Sequence, residues 1–78
     1  MEEVAQTLSL RELRERLGLT QVDAASRLGV VQGTIRGWEI GRGTPSFFLI
    51  RPLMELYDLT FDELEAAVRQ TLKESGKS

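Results

Sequence analysis

The sequence predicts an all-α domain of five helices, and three observations carry that expectation. Ser or Thr is followed three residues later by an acid at Ser9 with Glu12, Thr20 with Asp23, and Thr60 with Glu63, the reciprocal pattern that satisfies two orphan amides at a helix start. Apolar residues recur three and four apart after each of these starts, the period of a helix with one buried face. Gly18, Gly29 and Gly41 each follow a helical segment, where a left-handed residue lets the chain turn away. No stretch shows the strict alternation of a half-buried strand.

The elements follow in order. The first helix opens on Ser9 and places Leu10, Leu13 and Leu17 on one side. The second opens on Thr20, with Asp23 in place of the more usual Glu, and stops at Gly29. The third covers roughly residues 31–40, and Gly41-Arg-Gly-Thr-Pro45 reads as a loop by composition. A fourth helix is built on Leu49, Leu53 and Leu56 and ends near Asp58. The last opens on Thr60 and carries the stripe Phe61, Leu64, Val68 and Leu72. Residues 1–8 form an N-terminal arm, 9–72 the helical domain, and 73–78 a polar tail expected to fray.

Seventy-eight residues without cysteine or histidine give one thin-cored domain that packing alone must stabilise. The same absence, with no glycine-rich phosphate loop after a strand and no base beside a Ser or Thr, argues against an enzyme. No cofactor, metal or small-molecule ligand is expected. Met1-Glu2-Glu3 is the opposite of a basic secretory start, and no apolar run approaches about 20 residues. A soluble cytoplasmic protein with no membrane partner is the expectation. Formal net charge is −2, but it is unevenly spread. Residues 27–51 carry Arg27, Arg36, Arg42 and Arg51 against Glu39 alone, while both flanks are net negative. A basic island of this kind suits a phosphate backbone, and ordinary solvated charge would give it too.

The informative stretch is residues 21–40. Two helices joined by a tight turn can pack steeply only where their contact positions are small or apolar. Ala24 and Ala25 supply the close approach, Leu28, Val30, Ile35 and Trp38 the apolar lock, and Gly29 the turn. A plain helical hairpin in a bundle is the other reading of this pattern. The segments Leu13-Arg-Glu-Arg-Leu-Gly-Leu-Thr-Gln21, Ala24-Ala-Ser-Arg-Leu-Gly29 and Thr34-Ile-Arg-Gly-Trp-Glu39, with Gly41, Pro45 and Leu59-Thr-Phe-Asp-Glu-Leu64, resemble the phage repressor and Cro-type (XRE-like) helix-turn-helix family. The resemblance implies a five-helix, lambda-repressor-like domain that binds double-stranded operator DNA as a homodimer across a two-fold site. Its function would be that of a transcriptional regulator, a repressor in the first instance. The competing expectation is a protein-interaction adaptor or antitoxin-like module that keeps the fold with weak or no DNA binding.

On this reading the third helix enters the major groove. Gln32 can pair with adenine, Arg36 with guanine, and Thr34 can touch a thymine methyl or a phosphate. The second reading of Arg36 is a surface arginine that reaches only phosphate. Arg42, in the following loop, suits a phosphate clamp. Gln21 opens the second helix, where free amides favour an anion, and the resemblance implies that it bonds a phosphate and braces Gln32. The resemblance also implies an ion pair between Arg14 and Glu39 that ties the first helix to the end of the third. Gly33 and Gly37 depart from the family by standing inside the reading helix. Each costs about 1 kcal/mol relative to alanine, and neither reads a base through a side chain, though both admit closer backbone approach. Val31 replaces the expected capping residue.

The resemblance places Pro52 within the fourth helix, where its ring would meet the carbonyl of Phe48. The helix is therefore expected to start near Arg51, with residues 47–50 as a tight turn or 3₁₀ segment burying the aromatics and Arg51 able to face the DNA backbone. The resemblance implies a dimer contact in this region, with Tyr57, Leu59, Phe61 and Leu64 as candidates, although core packing is the first role expected of Phe61 and Leu64.

Overall fold

Each of the three Ser/Thr starts is a formed capping box in the computed structural model, which describes residues 7–76. The Ser9 hydroxyl accepts from the Glu12 amide at 3.2 Å while the Ser9 amide donates to Glu12 Oε1 at 2.9 Å. Thr20 with Asp23 and Thr60 with Glu63 repeat the exchange at 2.9 to 3.1 Å. Five α-helices result among the described residues: α1 (Leu10–Arg16), α2 (Gln21–Leu28), α3 (Gln32–Glu39), α4 (Ile50–Tyr57) and α5 (Phe61–Ser75). No strand occurs among them.

The core is contributed by every helix: Leu10 and Leu13 from α1, Ala24 and Ala25 from α2, Ile35 and Trp38 from α3, Leu53 and Tyr57 from α4, Leu64 and Ala67 from α5. The two buried alanines let α2 and α3 approach closely, as small residues at a steep crossing must. Gly29, at φ +73°, makes the turn between them, and the Val30 amide donates to the Ala25 carbonyl at 3.0 Å. Gly41 is required twice over. Its φ is +79°, and a Cβ there would fall inside the side chain of Ser75, so the chain leaving α3 runs tight against the end of α5.

The structure corrects three expectations. Residues 73–75 are not a frayed tail, because α5 continues through them to Ser75. Lys77, Ser78 and arm residues 1–6 lie outside the described residues. The buried face of α5 is Leu64, Ala67 and Thr71, with Val68 partly buried, whereas Phe61 and Leu72 are exposed. The physical reason is polar. Thr71 Oγ1 accepts from the Leu10 amide at 3.0 Å and donates to the Ala67 carbonyl at 2.9 Å. One of the orphan donors at the start of α1 is thus satisfied by turning Thr71 inward.

The third correction concerns the aromatics. A 3₁₀ turn does cover Phe47–Leu49, and α4 starts at Ile50, so Pro52 falls in its first turn, where a missing N–H is harmless. Yet Phe47 and Phe48 are 83% and 84% exposed. Leu49 and Ile50 pack against the core one turn before the fully buried Leu53. The two phenylalanines immediately before them therefore face the opposite side of the turn.

Candidate nucleic-acid interface

Helical phase divides α3 into two faces. Ile35 and Trp38, three residues apart, point into the core. Gln32, Gly33 and Arg36 are exposed on the other side, with Thr34 and Gly37 at the margin. Apart from its chain neighbours and the backbone of α3 itself, nothing comes within 4 Å of where a Cβ would stand on Gly33 or Gly37. Nothing in the fold requires glycine at either position. Val31 leaves the helix start without a side-chain cap and is 71% exposed.

What holds this weak helix is a relay of four side chains. Arg14 Nε donates to Glu39 Oε2 at 2.6 Å and Nη2 to Oε1 at 3.0 Å, a bidentate pair whose side chains are 9% and 4% exposed. Arg14 Nη1 also donates to the Leu19 carbonyl at 2.7 Å, so the guanidinium ties α1 to both the entry of α2 and the end of α3. Glu39 Oε1 accepts a further bond from Gln21 Nε2 at 3.0 Å, and Gln21 Oε1 accepts from Gln32 Nε2 at 3.1 Å. A carboxylate can only accept, so it directs the Gln21 amide nitrogen inward and its oxygen towards Gln32. Gln32 keeps its own Oε1 and a second Nε2 hydrogen for an outside partner, the acceptor and donor that an adenine edge requires.

The buried pair also sets local electrostatics. Its hydrogen bond to Glu39 raises the Arg14 pKa above its already high value, against the opposing effect of burial. Burial first, and then the Glu39 charge, push the Tyr57 hydroxyl up to about 12. In contrast, Arg27, Arg36, Arg42 and Arg51 are exposed and make no ion pair with any described residue. Arg42 lies in the loop three residues beyond the end of α3, exposed, with its amide donating to the Gly37 carbonyl at 2.8 Å.

The proposed dimer residues are not brought together. Tyr57 and Leu64 are buried in the core, Leu59 packs partly against it, and only Phe61 is exposed, at 53%. The thin core uses Tyr57 and Leu64, so neither is open to a second copy; Leu64 takes the core role expected of it, and Phe61 does not. Two features were missed by sequence reasoning. One is Thr71, whose signal would have been a hydroxyl seven residues beyond Leu64 on the same face. The other is the exposure of Phe47 and Phe48, for which the sequence carries no local signal.

Residues 8–67 match the family described as "Helix-turn-helix domain". An "Uncharacterized HTH-type transcriptional regulator" from Methanothermobacter thermautotrophicus is 50% identical over 40 residues, a stretch covering 51% of this chain and 58% of that protein. The chain thus spans a little over half the length of the curated relative it matches. No solved structure matches. With the α2–turn–α3 geometry and a match running from the end of the arm into α5, the chain belongs to the helix-turn-helix domain family.

Proposed function

We propose that the protein is a sequence-specific DNA-binding transcriptional regulator, a cytoplasmic repressor that acts as a homodimer on a two-fold operator and has no enzymatic activity. The observation that carries this reading is the relay ending at Gln32. It fixes a bidentate amide on the outer face of α3, one turn from Arg36. In this reading α3 lies in the major groove, Gln32 reads adenine, Arg36 reads guanine, and Thr34 meets a thymine methyl or a phosphate. Gln21, besides bracing Gln32, bonds a phosphate at the start of α2, and Arg42 clamps the backbone beyond α3. The open space over Gly33 and Gly37 lets the helix backbone come closer to the groove than longer side chains would allow.

The name of the relative supports regulation of transcription, and the unpaired arginines of residues 27–51 support a polyanionic partner. A dimer seated on an operator would repress by occupying it. The test is a mobility shift of random duplex DNA across a salt series, followed by selection of bound oligonucleotides. Binding should fall with a log–log slope of about −0.9 per phosphate neutralised, and the selected sites should be two-fold symmetric. Absence of retardation at about 50 mM salt would sink the DNA reading in favour of a protein adaptor.

A further inference from the structure

Val31 is a residue whose identity the fold does not explain. It is the N-cap of α3, a position that favours Ser, Thr, Asp or Asn because their side-chain oxygens accept from a free amide. Valine makes no such bond, and its side chain stands 71% exposed, outside the core cluster. Its backbone is nonetheless fixed. The residue is extended, at φ −88° and ψ 158°, and its carbonyl accepts from the Thr34 amide at 3.0 Å. A β-branched side chain on a fixed backbone has little rotamer freedom, so the isopropyl group is held as a rigid apolar knob in the residue before Gln32. Gly33 follows with no side chain to screen either neighbour.

We infer that Val31 reads the C5-methyl group of a thymine beside the base that Gln32 reads. This deepens the proposed seating of α3 in the major groove and rests on it. Base edges in that groove present donors and acceptors, with the thymine methyl as the apolar exception. An apolar side chain at the leading end of the reading helix therefore has that one complement on a base edge. The register agrees. Consecutive Cα atoms are about 3.8 Å apart and base pairs about 3.4 Å apart, so Val31 and Gln32 together span one base step. Valine is short and reaches a base only if the backbone comes close, which the missing side chains at Gly33 and Gly37 permit. The absent cap is then stability given up in the free protein for a contact made only on DNA. Gln32 and Val31 would recognise a two-base element, one base by hydrogen bonds and the next by its methyl.

The experiment titrates the full chain with the duplex that the wild type selects from a random pool, each thymine being replaced in turn by uracil. That change removes one methyl and leaves the hydrogen-bonding edge intact. The wild type should lose about 4-fold in affinity at one position of a half-site, next to the base pair whose identity Gln32→Ala relaxes. In Val31→Ser the uracil penalty at that position should disappear, together with part of the affinity for the thymine duplex. The same variant regains a cap and should melt about 4–8 °C higher, so its weaker binding cannot come from a damaged helix. Val31→Ala, which adds no cap, should also lose the penalty. The inference is overturned if no thymine is methyl-sensitive in the wild type, or if the penalty persists in Val31→Ser. It is overturned equally if Thr34→Ala abolishes the penalty at that position while Val31→Ser does not, or if Val31→Ala weakens every sequence alike, the mark of a sugar or phosphate contact. Binding without methyl dependence overturns this inference alone; failure to retain any duplex overturns the DNA reading and this inference with it.

Discussion

Helices α3 and α5 are held by opposite means. α5 is 15 residues long, opens on a full capping box, and carries an i to i+4 ion pair between Glu65 and Arg69 at 3.0 Å. Its local signals would favour a helix in most surroundings. α3 is 8 residues long, lacks a side-chain cap and contains two glycines, so it is weak as an isolated segment. It is fastened from outside itself, by Ile35 and Trp38 in the core and by Glu39 in the buried pair. The outer face of α3 thus carries little of the packing, and apart from the bond from Gln32 to Gln21 it is free to present Gln32 and Arg36. An interface can be chosen for its partner when the helix beneath it is stabilised from behind.

The sharpest way to break the contrast is Glu39→Ala. It leaves Arg14 buried without its partner, and removing one member of a buried pair costs about 3–5 kcal/mol. Chemical denaturation should read a loss of that order, with Gln21 and Gln32 freed as well. A loss below about 1 kcal/mol, the size expected for one helix cap, would mean that α3 does not depend on the pair.

The next effect is alkaline. Tyr57 stands at 10.0 when unperturbed and about 12 in the fold, so the buried neutral hydroxyl favours the native state. That contribution is complete below pH 10 and is lost as pH rises towards about 12, because the unfolded chain ionises first. The loss is about 2–3 kcal/mol. Tyr57→Phe should flatten the pH dependence of stability in that window; an unchanged slope would assign alkaline unfolding to other groups.

The exposed face is tested by Arg36→Ala and Arg42→Ala. The first should lose about 1–3 kcal/mol of discrimination at particular base pairs, and the second should weaken all sequences alike and reduce the salt slope by about 1. Equal, uniform losses from both would erase the distinction between reader and clamp.

The smallest effect sharpens the comparison. In Gly33→Ala and Gly37→Ala the new methyl meets nothing beyond α3's own local backbone, so each should stabilise the protein by about 1 kcal/mol. DNA binding should weaken at the same time if the open space admits the groove. Tighter binding from either variant would mean that the glycines serve no close approach.

Much of this arrangement was legible from residues alone. Capping depends on atoms three residues apart, so Ser9, Thr20 and Thr60 announced their helices. Positive φ is a property of single residues, so Gly29 and Gly41 announced their turns. The Arg14–Glu39 and Gln21–Gln32 contacts followed from resemblance, since nothing in the spacing of 25 or 11 residues predicts them. The burial of Tyr57, and the exposure of Phe47, Phe48 and Phe61, were not legible, whereas Leu64 takes the core role its stripe suggested. An apolar stripe states that some face is buried without saying which neighbour covers it.

By itself, then, the sequence determined the five helices, most of their ends and the tight α2–α3 crossing, because these rest on local hydrogen bonds, backbone freedom and side-chain size. Tertiary structure alone decided three things. Thr71 turns inward, where its hydroxyl satisfies an amide left open at the start of α1. α5 extends to Ser75, packed against Gly41. Phe47 and Phe48 stay in water because Leu49 and Ile50 already occupy the core beside Leu53. Each outcome depends on what a distant segment needs or fills, and one-dimensional periodicity carries no information about that.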